Sequence, residues 1–305
     1  MKRSLVGAST AGALAITGAL SLATVGGASA GETAPQQQES VTVKAAESAA
    51  VQTSAKKKWK LVFSDNFSGN KLSSKWYTYP TGPWAGRTCA TAAPSMAKPK
   101  NGKLQVRATV NKSKAGTSQC KKFFYNGQIA STKAFRYGKF EARIKYQSSP
   151  GVGGAFWLLP GKENPTDVSP SNLAAYRGGE VDIAEYFGDR YKPVGSMYHF
   201  VYWPKQTSGG VKTIKTGGVQ PGSKKALKGK LPSKGFHTYT LEWTPKKYVF
   251  KIDGKVTATI TKGVSKRKQF ILFSMLTSDW MLPLQKSNSM PATMQVDWVK
   301  VYQKK

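Results

Sequence analysis

From residue 56 onward, apolar side chains recur at every second position. In 139–146, Phe140, Ala142, Ile144 and Tyr146 alternate with Lys139, Glu141, Arg143 and Lys145, the pattern of a strand buried on one face. Tyr248, Phe250 and Ile252 alternate, Asp253-Gly254 follows, and Val256, Ala258 and Ile260 alternate again; Asp-Gly between two such runs predicts a hairpin. His237, Tyr239, Leu241 and Trp243 line one face of another strand, 270–273 is a short apolar strand, and 294–302 is a closing strand. No long amphipathic helix interrupts the series. Many short strands in a segment of this length predict an all-β fold, a two-sheet antiparallel β-sandwich.

The alternation is missing from the first 55 residues. Lys2 and Arg3 precede an apolar, Ala-rich stretch, and Ala28-Ser29-Ala30 is a small-residue cleavage site, so residues 1–30 read as a secretory signal peptide. An uncleaved membrane anchor is the rival reading, disfavoured by the Gly, Ser and Thr within the stretch. Residues 31–55 are rich in Gln, Ala, Ser, Thr and Glu and hold no aromatic residue; such a segment cannot bury enough surface to offset chain ordering and reads as a disordered leader. Residues 56–305 form one domain. The mature protein is expected to be secreted to the extracellular space, monomeric and without membrane insertion.

Charge narrows the partners. The formal net charge is +32, a field that attracts polyanions. The lysines are spread along the whole chain and line no helix or nucleic-acid motif, so no specific nucleic-acid partner is expected. The chain holds 2 Cys and 2 His. In an exported chain, Cys89 and Cys120 predict one disulfide, and so few histidines argue against a catalytic metal.

Acidic residues are scarce by contrast. Of the 15 in the chain, four fall within ten positions: Glu180, Asp182, Glu185 and Asp189, in GGEVDIAEYFGDR. On a strand, Glu180 and Asp182 share a face, whereas Glu185 has the wrong parity and would enter the opposite face. A buried, unpartnered carboxylate is costly. A β-bulge after Asp182 adds one residue and returns Glu185 to the face of the other two. Paired carboxylates are the working groups of glycoside hydrolysis, and retaining enzymes hold them too close for an intervening water. Glu180 would attack the anomeric carbon, and Glu185 would protonate the leaving oxygen and then activate water. Asp182 would hold the geometry. Three close carboxylates cannot all ionise without cost, so one pKa should be raised. An exposed acidic edge strand is the bland alternative. Apolar Val181, Ile183 and Ala184, with Tyr186-Phe187 after them, speak against it.

With these residues in place, the chain resembles glycoside hydrolase family 16, whose signature is Glu-x-Asp-x-x-Glu. GGEVDIAEYFG is similar to the bulged, laminarinase-like version. WKLVFSDNFSG and NGKLQVRA are similar to the family's opening landmarks. YGKFEARIKYQSSPGVGGAFWLLPG precedes the signature, and HTYTLEWTPKKYVFKIDGK and MQVDWVKVYQ match the closing strands. The resemblance implies a jelly roll with an open concave substrate cleft, retaining chemistry and endo action on a polysaccharide. It maps Glu180 onto the nucleophile, Asp182 onto its helper and Glu185 onto the acid/base. It places Trp157 beside the cleft as a sugar contact. Tyr186 after the acid/base, Trp203 and Trp280 in expected loops, His199 one strand along and Gln128 are further candidates, with core packing the alternative for the aromatic residues and for His199. Asp297 matches a position that helps bind a structural calcium in some relatives, although the accompanying Glu is Asn66 here; no cofactor is required. Gly153 and Gly154 stand where laminarinase-like sequences carry Trp and Pro, which removes one stacking platform.

The expected function is a secreted endo-β-1,3-glucanase. Within the enzyme class the rivals are hydrolysis of a sulfated or otherwise charged galactan, and transglycosylation. A non-catalytic carbohydrate-binding protein is the rival from another class, opposed by the intact carboxylates.

Overall fold

The computed structural model describes residues 58–78, 87–161, 179–285 and 289–305. The signal peptide and leader expected over 1–30 and 31–55 lie outside the described residues. The strands are β1 (Trp59–Asp65), β2 (Trp76–Thr78), β3 (Ala90–Ala92), β4 (Ala97–Lys100), β5 (Lys103–Val110), β6 (Phe124–Ser131), β7 (Gly138–Lys145) and β8 (Gly153–Pro160). They continue with β9 (Glu180–Tyr186), β10 (Tyr198–Thr207), β11 (Gly210–Val219), β12 (His237–Trp243), β13 (Tyr248–Ile252), β14 (Lys255–Ile260), β15 (Gln269–Leu276) and β16 (Ala292–Lys304). Among the described residues the helical elements are short: α1 (Gly222–Ala226) and 3-10 turns at Pro94–Met96 and Asp279–Leu284.

The strands run in the order β11-β10-β9-β8-β15-β6-β5-β16-β7-β12-β13-β14. One strand joins the two halves of this path. β6 pairs through Phe124, Tyr125 and Asn126 with β5, and through Gly127 to Ala130 with β15. The chain thereby passes from the first sheet (β5 to β14 in that order) to the second, which carries β9. Pairing along the path is antiparallel, and the open order fits the jelly roll expected from the sequence.

The first sheet shows why alternation made it legible. In β7, Gly138, Phe140, Ala142 and Ile144 are buried while the residues between them are partly exposed. β13 repeats the pattern with Tyr248, Phe250 and Ile252. In the second sheet Phe156 stacks on its β15 partner Phe273 at 5.1 Å, and in the first Trp243 packs edge-on against Tyr137 at 5.3 Å. Full burial of such a side chain stabilises the fold by about 1.5–3 kcal/mol. The hairpin turn at Asp253-Gly254 has φ of 48° and 78°, the left-handed pair that matches strand twist.

β14 departs from the simple expectation. Phe250 pairs with Ala258, but Lys251 pairs with Val256, so Thr257 is inserted as a bulge. Alternation stops there, and Val256 is 59% exposed rather than buried with Ile260. In the second sheet β8 is buried along its whole length. One face of β8 meets the inter-sheet core through Phe156 and Leu158, and the other carries a separate apolar cluster of Ala155, Trp157 and Leu159.

Candidate active site

β9 carries the carboxylates, and its pairing fixes where they point. Asp182 pairs with Trp157 on β8 and Phe200 on β10, and Glu185 pairs with Ala155 and Tyr198. On β8 the next partner after Asp182 is Ala184, which leaves Ile183 as an inserted residue. This bulge between Asp182 and Glu185 restores the parity. Glu180, Asp182 and Glu185 all line one cleft of about 440 Å³. Asp182 is 4% exposed, and the two glutamates are intermediate.

Aromatic rings form the cleft wall. Tyr198, Phe200 and Tyr202 project from alternate positions of β10. Trp280, on the 3-10 turn Asp279–Leu284, meets Phe187 edge-on at 5.4 Å and Tyr191 at 5.8 Å. Gly153 lies against Phe187, whose ring is 3.2 Å from where a Cβ would stand. That ring thus fills space beside a position where a larger residue was noted as missing. Trp157, Leu159, Gln128 and Ser274 close the floor behind the carboxylates. Trp157 is held by an Nε1–H hydrogen bond to Ser274 Oγ at 3.0 Å. The buried Gln128 Oε1, on the cleft side, has no hydrogen-bond partner. A separate cavity of about 640 Å³ borders the same 3-10 turn, lined by Lys121, Lys122 and Leu282 among others, and holds none of the β9 carboxylates.

Two cations enter the cleft: Arg87 and Lys215. Lys215 reaches across from β11, paired with Tyr202, and its Nζ lies 3.9 Å from the Phe200 ring centroid. Arg87 is fixed by its neighbours in the chain. Thr88 donates from N and Oγ1 to the Asp279 carboxylate at 2.9 and 3.1 Å, and Cys89 forms the expected disulfide with Cys120.

The model of the family described as "Beta-porphyranase A-D, GH16 domain" matches residues 59–304. The chain belongs to glycoside hydrolase family 16. A glucan endo-1,3-beta-glucosidase of Cryptopygus antarcticus is 26% identical over 209 residues, covering 66% of this chain and 69% of that protein. Glucan endo-1,3-beta-glucosidase A1 of Niallia circulans is 25% identical over 79% of this chain and 37% of its own length. A keratan-sulfate endo-1,4-beta-galactosidase of Sphingobacterium multivorum is 25% identical over 80% of this chain and 55% of its own length. The chain thus spans between 37% and 69% of these relatives. LamA of Z. galactanivorans, crystallised with laminaritriose and laminaritetraose, superposes with a TM-score of 0.63 at 22% identity, covering 80% of this chain and 98% of that one. Porphyranase B from Zobellia galactanivorans gives 0.62 at 22% identity, covering 81% and 94%. At such identities the superpositions speak for the shared fold.

In this family 16 domain all three acids are raised, through different sets of neighbours. Burial raises Glu180 to about 7, opposed by Arg87. Burial also raises Glu185 to about 7, but there the charge of Glu180 adds to the rise, with Arg87 and Lys215 opposing. Asp182 is pushed well above the carboxylate range by burial, then by Glu185 and Glu180. The acids therefore hold protons jointly near neutrality. Arg87 favours the charge on Glu180, and Glu180 favours the proton on its neighbours.

Three expected sugar contacts lie elsewhere. His199 is 1% exposed and faces the core between the sheets, its ring stacked on Phe250 at 4.6 Å. Tyr186 is also in the core, packed near Tyr146, and its hydroxyl donates to Asp189 at 2.8 Å. Asp189 accepts from Ser233 as well, so the fourth acid of the sequence cluster ties loops together. Trp203 packs against the core and donates from Nε1 to Thr216 Oγ1 at 3.2 Å. The physical reason is parity. Pairing of Phe200 with Asp182 sends positions 198, 200 and 202 to the cleft, and 199, 201 and 203 to the other face. The Asp297 carboxylate is paired with the Arg143 guanidinium. Among the described residues no group of three or more His, Cys, Asp or Glu side chains could hold a metal.

Sequence reasoning missed Arg87, Lys215 and the ring series Tyr198, Phe200, Tyr202. The signal for the rings was present as alternate aromatics in YHFVYW. Choosing between its two faces needed the partner strand. Nothing near Arg87 or Lys215 in the sequence distinguishes them from the chain's many other cations.

Proposed function

We propose that this chain is an exported, retaining endo-β-glycosidase whose substrate is a β-1,3-glucan. The observation that carries this reading is the bulged β9, which sets three carboxylates of raised pKa on one face of an open, aromatic-walled groove. Glu180, ionised opposite Arg87, attacks the anomeric carbon while Glu185 gives its proton to the departing glycosidic oxygen. The resulting glycosyl ester on Glu180 is then opened by water, with the Glu185 carboxylate taking the water's proton and the Glu180 carboxylate leaving. Two inversions keep the β configuration. The aromatic rings offer flat apolar faces to sugar rings, and an open groove admits the interior of a chain. The glucan substrate is supported by the glucan endo-1,3-beta-glucosidases among the relatives.

A second reading, hydrolysis of a sulfated or uronate-bearing galactan, is favoured by Lys215 and Arg87 within the cleft and by the family description. One experiment separates the two: reducing-end release from laminarin, lichenan, agarose, carrageenan and chitosan, at salt from roughly 0.01 to 0.1 M, where the screening length falls from about 30 to 10 Å. Laminarin cleavage with little salt dependence is the expected result. Turnover of a sulfated polymer, with KM rising steeply in salt and laminarin untouched, would replace the glucan by the galactan. Binding without turnover of any polymer would favour a carbohydrate-binding protein. Proton NMR of the first products should show the β-anomer; the α-anomer first would remove the retaining assignment.

A further inference from the structure

His199 takes no part in the chemistry proposed above, yet it sits directly behind the carboxylate strand. A bulge leaves its inserted residue outside the ladder, and a buried carbonyl needs a donor from somewhere. On β9 the inserted residue is Ile183, and its carbonyl oxygen lies 2.6 Å from His199 Nδ1. The second bulge, on β14 in the opposite sheet, inserts Thr257, whose Oγ1 lies 2.8 Å from His199 Nε2. One imidazole therefore joins two bulges on two sheets. On β11, Gly217 has a φ of 102°, and a Cβ there would lie 2.2 Å from the His199 backbone carbonyl oxygen, so the neighbouring strand passes close to the His199 backbone.

The hydrogen-bond inventory places the proton. A carbonyl accepts only, so Nδ1 must carry hydrogen. The neutral ring then has Nε2 as acceptor, and Thr257 can donate to it at 2.8 Å in preference to Phe250 O at 3.3 Å. Burial, opposed in part by the bond to Ile183, lowers the histidine pKa to about 4, which keeps this neutral form across the working range.

We propose that His199 is a positioning residue: its Nδ1–H holds the Ile183 carbonyl, and with it the bulge that turns Glu185 onto the cleft face beside Glu180. The roles given to the two glutamates rest on the proposed function, whereas the bond to the bulge does not. Without the donor, the Ile183 carbonyl is free to rotate and the strand to relax toward a regular ladder, in which Glu185 has the wrong parity.

The test uses the full chain with His199→Leu, His199→Asn and Thr257→Val, each first checked for an unchanged circular dichroism spectrum. Asparagine keeps an N–H donor near the place of Nδ1; leucine does not. His199→Leu should lower kcat about 100-fold, the scale set by a misplaced catalytic group, with KM moving less than about threefold. His199→Asn should recover to within about tenfold of the parent, and Thr257→Val should fall between them. Equal losses in the Leu and Asn variants, or kcat within about threefold of the parent in His199→Leu, would overturn the proposal. Nitrogen-15 NMR of the two histidines gives an arm independent of turnover. His199 should show a neutral Nδ1–H tautomer that does not titrate above about pH 5. An Nε2–H tautomer overturns the proposal. Should the parent cleave no glycan, the proposed function fails alone. The carbon-13 titration of Glu185 in His199→Leu then decides: a shifted curve supports the positioning role, and an unchanged curve removes it.

Discussion

The first sheet and the cleft sheet carry the same charged side chains in opposite surroundings. On β7, Glu141 stands beside Lys139 at 3.0 Å, both partly open to water. Glu242 on β12 meets Lys251 on β13 in the same way. Such pairs contribute well under about 1 kcal/mol each. On β9 the cross-strand neighbours of the acids are Tyr202 for Glu180, Phe200 and Trp157 for Asp182, and Tyr198 and Ala155 for Glu185. There the carboxylates are desolvated and close to one another, and their pKa values rise. A glutamate on the first sheet is half-buried and neutralised by a lysine beside it. A glutamate on β9 opposes folding once ionised and is thereby suited to take and give protons near neutral pH.

The contrast is broken most sharply at Glu180. Glu180→Gln should lower kcat on the order of 10⁴-fold, the scale for loss of a nucleophile, with polysaccharide binding little changed and the native fold retained. Glu180→Ala with azide should partly restore cleavage of an activated aryl glycoside, giving a glycosyl azide of inverted configuration. Activity of Glu180→Gln within about tenfold of the parent would take the nucleophile role away from it.

Next in size is stability. A carboxyl whose pKa is raised from 4.5 to about 7 in the folded state costs nothing below pH 4.5, where both states are protonated. Its penalty grows as pH rises from 4.5 to about 7, where only the unfolded state is ionised, and stays constant above that. Glu180→Gln should therefore stabilise the fold by about 1–3 kcal/mol at about pH 8, and by nothing near pH 4. Denaturant melts at the two pH values check this; equal differences at both would show that the raised pKa is not the cause.

A smaller effect is expected from the cation. Arg87 lowers Glu180, so Arg87→Met should move the acidic limb of the kcat/KM profile upward by about one unit. A shift downward would contradict the assigned field. The smallest effect belongs to the first sheet: Lys139→Met with Glu141→Gln should change unfolding free energy by less than about 1 kcal/mol and leave kcat unmoved.

The first sheet could be read from the chain because water wrote the pattern on it: with one face solvated, Phe140, Ala142 and Ile144 had to alternate with charged residues. The acidic cluster was readable for the related reason that Glu185 at regular parity would have been buried without a partner, which required a bulge. β10 was not readable in this way. Both its faces carry aromatics, one toward the cleft and one toward the core, so polarity could not distinguish Tyr198, Phe200 and Tyr202 from His199 and Trp203. The disulfide partners followed from the chain holding two cysteines. Their effect on the cleft, through Thr88, Asp279 and Arg87, could not be inferred that way.

By itself the sequence determined the strand-rich class, the Asp253-Gly254 turn, the cysteine pair and the carboxylates of β9, because each rests on contacts between near neighbours or on the composition of one segment. Tertiary structure alone decided which cations reach the acids and which face of β10 lines the cleft. It alone brought Ile183 and Thr257, on different sheets, to the two nitrogens of His199. These outcomes depend on register between strands far apart in the chain, and a register is set by how two sheets close on a shared core.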